Sequence, residues 1–262
     1  MKSQLQINSY RAYKALIVLT VLIPALALAT VSKEQNWAFS VDENTKFSID
    51  NVNGDIKISA ADGDQLLVTA KLKADNEKDM ESLRVDVKES DGEIIFKTIH
   101  GESGGWFNWG NSNSGEVEFT VTLPAYVSLK SIGTVNGDVE ITGIKVSTQV
   151  STVNGDLELN GVTGNTTLDN VNGDISVEFL SFSGSQEASI QTVNGTVVVY
   201  LPADASTKVN AETVNGSIRA SDFDLKASEG SFVGSSLDGK IGSGSATLSL
   251  TTVNGSIKVK GT

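Results

Sequence analysis

The tripeptide Val-Asn-Gly occurs seven times in this 262-residue chain, with its glycines at Gly54, Gly137, Gly155, Gly173, Gly195, Gly216 and Gly255. The intervals between them are 83, 18, 18, 22, 21 and 39 residues, so the central copies recur at a nearly constant period. A fixed period of this kind marks a repeat array, in which each unit buries its apolar face only against its neighbours. The run Ser236-Leu237-Asp238-Gly239-Lys240-Ile241 reads as a worn copy that divides the last interval. It raises the expected number of turns to eight.

Each unit has a physical reading. Asn53, Asn136, Asn154, Asn172, Asn194, Asn215 and Asn254 precede the glycines, and both residues of an Asn-Gly pair tolerate positive φ, so the chain is expected to turn there. The second and fourth residues after each glycine are apolar, from Ile56 and Ile58 to Ile257 and Val259, which predicts a short strand with one buried face. Five residues before each glycine stands Ile49, Ile132, Val150, Leu168, Ile190, Ala211 or Leu250, the mark of a second strand entering the turn. The valine of Val-Asn-Gly is out of phase with that strand. Either a bulge turns it inward or it forms an exposed ladder.

An 18-residue period is too short for a helix with strands, but two strands of about five residues and two turns fit it. Gly143 and the stretch Gly161 to Gly164 supply second turns. Stacking such rungs in parallel gives a β-solenoid. The same Asn-Gly pairs could instead close two-residue hairpins in an antiparallel meander. Identical turn sequences favour stacking, because like residues then pack on like.

Residues 1–29 read as a signal peptide: Lys2, Arg11 and Lys14 precede the apolar run Ala15 to Ala29, which ends in Ala-Leu-Ala. The alternative is an uncleaved anchor, but the run falls short of the roughly 20 residues that span a bilayer and contains Pro24. The expected locations are the periplasm or cell envelope of a bacterium, or the medium. No transmembrane segment is expected after cleavage. The remaining chain carries 17 basic and 32 acidic residues, a balance that argues against nucleic acid as a partner. With no cysteine and one histidine it lacks the usual ligands for zinc, haem or iron–sulfur centres, and no cofactor is expected.

Residues 30–46 are read as a polar linker and first strand, and 47–262 as one solenoid domain. Within that domain, longer and irregular strands are expected over 60–130 and regular repeats over 131–262. Leu66 to Leu72, Leu83 to Val87, Ile94 to Ile99 and Val117 to Leu123 alternate as such strands. Asn76 to Ser82 is expected to make one or two helical turns. Thr122-Leu123-Pro124-Ala125 and Tyr200-Leu201-Pro202-Ala203 form a second level of repetition, with proline ending a strand.

The Leu-Pro-Ala and Thr-Val-Asn-Gly-Asp-Ile-type repeats, over Ile49 to Lys260, resemble the bacterial "putative adhesin" β-strand-repeat family of exported proteins. The resemblance implies a right-handed β-helix-like solenoid in the cell envelope. It implies no catalytic residues.

Three features invite a functional reading. Asp138, Asp156 and Asp174 follow the Asn-Gly in consecutive units, and stacking would line up their carboxylates as a solvated charge ladder or a calcium site. The asparagines are expected to form a structural amide ladder. Trp106, Phe107 and Trp109, on a loop rich in glycine, serine and asparagine, are partner-contact candidates, or else a lid over the solenoid edge. His100 is read as an ordinary surface residue. The expected function is that of a non-catalytic exported scaffold, adhesin-like, binding an envelope or extracellular protein or glycan. The alternatives are a polysaccharide-active enzyme on a β-helix and a calcium-stabilised structural protein. Against the enzyme, Arg219 is the lone arginine of the second half.

Overall fold

The structure is a computed structural model that describes residues 30–101, 115–229 and 234–262. Its strands build two sheets, of ten and eleven strands, whose inward side chains merge into one hydrophobic core. Residues 1–29, read as a signal peptide, and the segment with Trp106, Phe107 and Trp109 lie outside the described residues.

The chain opens with β1 (Val31–Ser40), followed by β2 (Lys46–Asp50) and β3 (Ile56–Ala61), which flank the first Asn-Gly. The long interval holds β4 (Gln65–Ala74), β5 (Leu83–Ser90), β6 (Glu93–His100) and β7 (Gly115–Pro124). Between β4 and β5 lies the short helix α1 (Glu77–Ser82), whose N-cap Asn76 accepts the Asp79 amide. The regular pairs follow: β8 (Ser128–Asn136) with β9 (Val139–Thr142), and β10 (Thr148–Asn154) with β11 (Leu157–Val162). Next come β12 (Thr166–Asp169) with β13 (Ile175–Phe179), and β14 (Glu187–Asn194) with β15 (Val197–Leu201). β16 (Thr207–Asn215) joins β17 (Ile218–Arg219), then come β18 (Ser228–Glu229) and β19 (Ser235–Ile241), and finally β20 (Ala246–Asn254) with β21 (Ile257–Gly261).

Each pair is a rung that gives one strand to each sheet and bends at its Asn-Gly. Neighbouring rungs pair in parallel and in register, Val139 beside Leu157 beside Ile175 beside Val197. The hairpin alternative is thereby excluded at these positions, since the Asn-Gly bends join strands of different sheets. Strand alternation explains the burial. In β10, Thr148, Val150 and Thr152 point inward and are buried, while Gln149 and Ser151 are exposed. The valines left open by the sequence form an outer ladder, with Val135, Val153, Val171, Val193, Val214 and Val253 between 37% and 49% exposed.

Two expectations need correction. Of residues 30–46, read as linker and first strand, Val31–Ser40 is strand from its start: the whole segment pairs antiparallel with β4, and Trp37 packs edge-on against Phe96 at 5.1 Å. The worn copy is not a turn. Asp238 and Gly239 lie inside β19, opposite Asn210 and Val209 of β16. A Cβ on Gly239 would come within 2.8 Å of the Leu225 side chain, so the glycine there permits a close approach. The rungs also do not stack in chain order. In the ten-stranded sheet the order is β1-β4-β7-β3-β9-β11-β13-β15-β21-β17. The C-terminal rung is therefore slotted between the rungs of Gly195 and Gly216.

Both ends of the stack follow one plan. A parallel stack leaves open edges, and at each end the chain lays down antiparallel strands, on both sheets at one end and on the eleven-stranded sheet at the other, before it lays a later rung on the inner side. At one end β4 skips β3 and pairs with β7 and β1, while β5 pairs with β6. At the other, β19 pairs with the outer side of β16 and β20 with its inner side. Residues 242–245 make that crossing, anchored by the Ala246 amide donating to Ser206 O at 2.9 Å.

The slotted rung makes the C-terminus structurally internal. Deleting residues 245–262 would leave two facing rows of unpaired backbone groups rather than trim an end. We expect the melting temperature to fall by more than about 10 °C, since each kcal/mol lost shifts a chain of this size by about 2–4 °C. A soluble truncation melting within a few degrees of the full chain would contradict the rung order.

Candidate functional site

The repeated corner is the most regular local geometry in the molecule. At each bend the glycine sits against the backbone of the preceding rung in the stack. A Cβ built on Gly155 would lie 2.0 Å from Gly137 O, and one on Gly195 would lie 1.9 Å from Gly173 O. Gly155 also has φ 152 and Gly173 has φ 142, where side chains are disfavoured. Space and backbone conformation both demand glycine.

Those glycine carbonyls point into the corner and would be costly to leave unsatisfied. A buried polar side chain three residues before each glycine meets them. Thr134, Thr152, Thr192, Thr213 and Thr252 donate their hydroxyls to the oxygens of Gly54, Gly137, Gly173, Gly255 and Gly195. Where that residue is asparagine the longer amide serves: Asn170 reaches Gly155 O at 3.0 Å, and Asn51 reaches Gly54 O and Val117 O. Sequence reasoning passed over this column. Its signal was present, a threonine or asparagine at the same offset in all seven copies.

The asparagines of the bends form one continuous ladder. Each amide donates to the side-chain oxygen of the preceding rung, through Asn53, Asn136, Asn154, Asn172, Asn194, Asn254 and Asn215, at 2.7 to 2.9 Å. The amides thus satisfy one another rather than the turn backbone. The carboxylate column starts one rung earlier than the sequence reading had it, at Asp55. The backbone amides of Asp138, Asp156, Asp174 and Thr196 donate to Oδ1 of Asp55, Asp138, Asp156 and Asp174 respectively. These charge-assisted bonds give each carboxylate a structural role. Among the described residues, no group of three or more acidic, histidine or cysteine side chains is placed to hold a metal ion.

At the N-terminal end of this column a cavity of about 440 Å³ is lined by Asn53, Gly54, Asp55, Lys73, Asp75 and Glu116 among others. Lys73 pairs with Glu118 and with Glu116 at 3.5 Å. The bond from Glu118 raises the Lys73 ammonium above its ordinary range, and the same bond holds Glu118 low. Burial raises Glu116. His100 is half-buried rather than a surface residue. Burial lowers its pKa below 6.5, and Nε2 has no partner among the described residues.

The aromatic candidates are not described, but their stems are. β6 runs beside β2 and β7 beside β3, so Gly101 and Gly115 stand at the same edge of the stack as the Asn-Gly bends. Asn53 Nδ2 donates to Gly115 O at 3.2 Å, tying that stem to the amide ladder.

The fold and this corner define an all-β protein of parallel stacked repeats. The chain belongs to the Toastrack DUF4097 family, whose profile matches residues 111–260. Among solved structures, a "putative cell adhesion protein" of Clostridium sporogenes is 15% identical, with 88% of this chain and 100% of that one covered at a TM-score of 0.43. A "putative adhesin" of Bacteroides fragilis is also 15% identical, covering 87% and 97% at 0.43. A "putative lipid binding protein" of Parabacteroides distasonis is 11% identical, covering 86% and 96% at 0.32. No curated protein matches. Among the described residues no helix is long and apolar enough to cross a membrane.

The corner makes a graded prediction. Thr152→Val leaves Gly137 O without its hydroxyl donor and should cost about 1–2 kcal/mol. Gly155→Ala forces two rungs apart and should cost about 3 kcal/mol or more. Denaturant unfolding of both variants checks the order; a Gly155→Ala protein within about 0.5 kcal/mol of the parent would remove the close approach from the account.

Proposed function

We propose that this protein is a non-catalytic, exported β-solenoid that acts as an adhesin-like or envelope scaffold and binds a protein partner along its valine-bearing edge. The observation that carries this reading is the outer valine ladder. Packing of the core does not require valine there, and threonine would suit the strand equally. Yet all seven copies carry valine, and the six exposed ones make a continuous apolar stripe about 24 Å long at rung spacing. Exposed apolar stripes of this continuity mark interaction surfaces. Bare aliphatic methyls suit a protein surface better than a sugar.

The leader-like residues 1–29 support export, and residues 47–262, joined by β1, are read as one domain. A right-handed winding accords with the general hand of parallel β crossovers. Trp106, Phe107 and Trp109 are taken as further contact candidates, since the described residues on either side of them, Gly101 and Gly115, stand at the edge that carries the valines. Large aromatic side chains at a buried contact supply much of its affinity.

Retention of the purified chain on envelope preparations tests the reading, with Val153→Ser, Val171→Ser and Val193→Ser combined. The three side chains are exposed, so the melting temperature should hold while retention falls about ten-fold or more. Deleting residues 104–114 asks separately whether the aromatic loop contributes. Undiminished retention by the folded triple variant would contradict the valine edge as the contact.

A further inference from the structure

We propose that Asn215-Gly216 is a site of spontaneous covalent modification, where the backbone converts through a succinimide to aspartate and isoaspartate while the other six Asn-Gly pairs stay protected by the stack. In this reaction the Gly216 nitrogen loses its proton and bonds to Cγ of Asn215. The Cγ–Nδ2 bond breaks and ammonia leaves. Water then opens the ring at either carbonyl, giving aspartate or its β-linked isomer. Glycine after asparagine makes this chemically easy, because no side chain obstructs the ring.

Seven copies share the dipeptide, so position in the stack decides which of them can react. The amides of Gly54, Gly137, Gly155, Gly173, Gly195 and Gly255 each donate to the asparagine carbonyl of the next rung, at 2.8 to 3.0 Å. The side-chain oxygens of the asparagines before them each accept from the next rung's amide. In these six pairs neither the nucleophile nor the carboxamide can swing into the ring geometry without opening the stack. Asn215-Gly216 is the last rung of the column, since β17 has β21 on one side and, among the described residues, no strand on the other. Among the described residues the Gly216 amide has no acceptor and Asn215 Oδ1 has no donor. Gly216 is also the one glycine of the seven that is exposed.

The product would alter the end of the stack. Conversion removes the amide that donates to Asn254 Oδ1 at 2.8 Å and puts a carboxylate in its place. The isoaspartyl form also lengthens the backbone at a corner whose Gly216 O accepts from Ser235 Oγ at 3.2 Å. The outer rung and its cap, β16 to β19, would loosen first.

The full-length chain, aged at neutral pH and 37 °C and followed by peptide mapping with fragmentation that separates aspartate from isoaspartate, tests this directly. A parallel sample in denaturant sets the intrinsic timescale for all seven pairs. In the folded protein Asn215 should convert about ten-fold or more faster than any other copy, the factor reflecting the free energy needed to open a protected rung. In denaturant the seven rates should converge. Asn215→Gln, which keeps an amide but closes a ring far more slowly, should abolish the early acidic form. Conversion of another copy as fast as Asn215 in the folded chain would overturn the proposal. So would an intact Asn215 over a period in which the denatured chain converts.

Discussion

The structure depends on one close approach, that of a glycine Cα against the carbonyl of the glycine one rung below. It sets the rungs at strand spacing, and it can be made only where no Cβ intervenes, since one on Gly195 would sit 1.9 Å from Gly173 O. The carbonyl so enclosed needs a donor that fits inside the bend. A threonine hydroxyl, or an asparagine amide where reach is needed, supplies it. Outside the bend the same register brings asparagine onto asparagine and aspartate oxygen onto backbone amide. One steric fact therefore fixes four columns, and the seven-fold motif follows from it.

A stack of like rungs carries an ambiguity: any rung can sit on any other, and its ends are open. Among the described residues the chain resolves three of the four sheet ends with antiparallel strands and leaves the two-residue β17 at the fourth. β5 exposes Arg84, Lys88 and Glu89 at one sheet's edge, and β1 exposes Glu34 at the other's, charges that discourage another chain from adding there. Cross-strand pairs such as Lys97–Asp50 at 2.6 Å and Lys130–Glu93 at 2.7 Å run over the outer face. They are exposed and contribute modestly. The wider end is filled by Trp37, Phe39, Phe47 and Phe119 gathered edge-on about Phe96, whereas the regular rungs hold mainly aliphatic side chains. Aromatic volume is used where the layers must accommodate long antiparallel strands.

Much of this was legible in the residues. The alternation after each glycine placed the inward positions, such as Ile175 and Val177, and the runs around Leu66 and Phe119 announced the longer strands. The rung order was not legible, because the Thr-Val-Asn-Gly of residues 252–255 matches its neighbours equally well at several places in the stack. Its position follows from the cap that precedes it in the chain. Asp238-Gly239 has the composition of a bend, but there the glycine accommodates Leu225, a tertiary contact no local pattern encodes. Val31–Ser40 looked polar because an edge strand buries little. The threonine column was visible, yet its meaning required the carbonyl it faces.

Hydrogen exchange at the corner amides, followed by NMR on the labelled full-length chain, tests the interlocking of glycine corners most directly. Amides bonded from rung to rung exchange only when the stack opens. The account predicts slow exchange at Gly54, Gly137, Gly155, Gly173, Gly195 and Gly255, approaching the rate set by global unfolding, with fast exchange at Gly216. Exchange at those six corners as fast as at Gly216 would show them to be surface loops and would contradict the account.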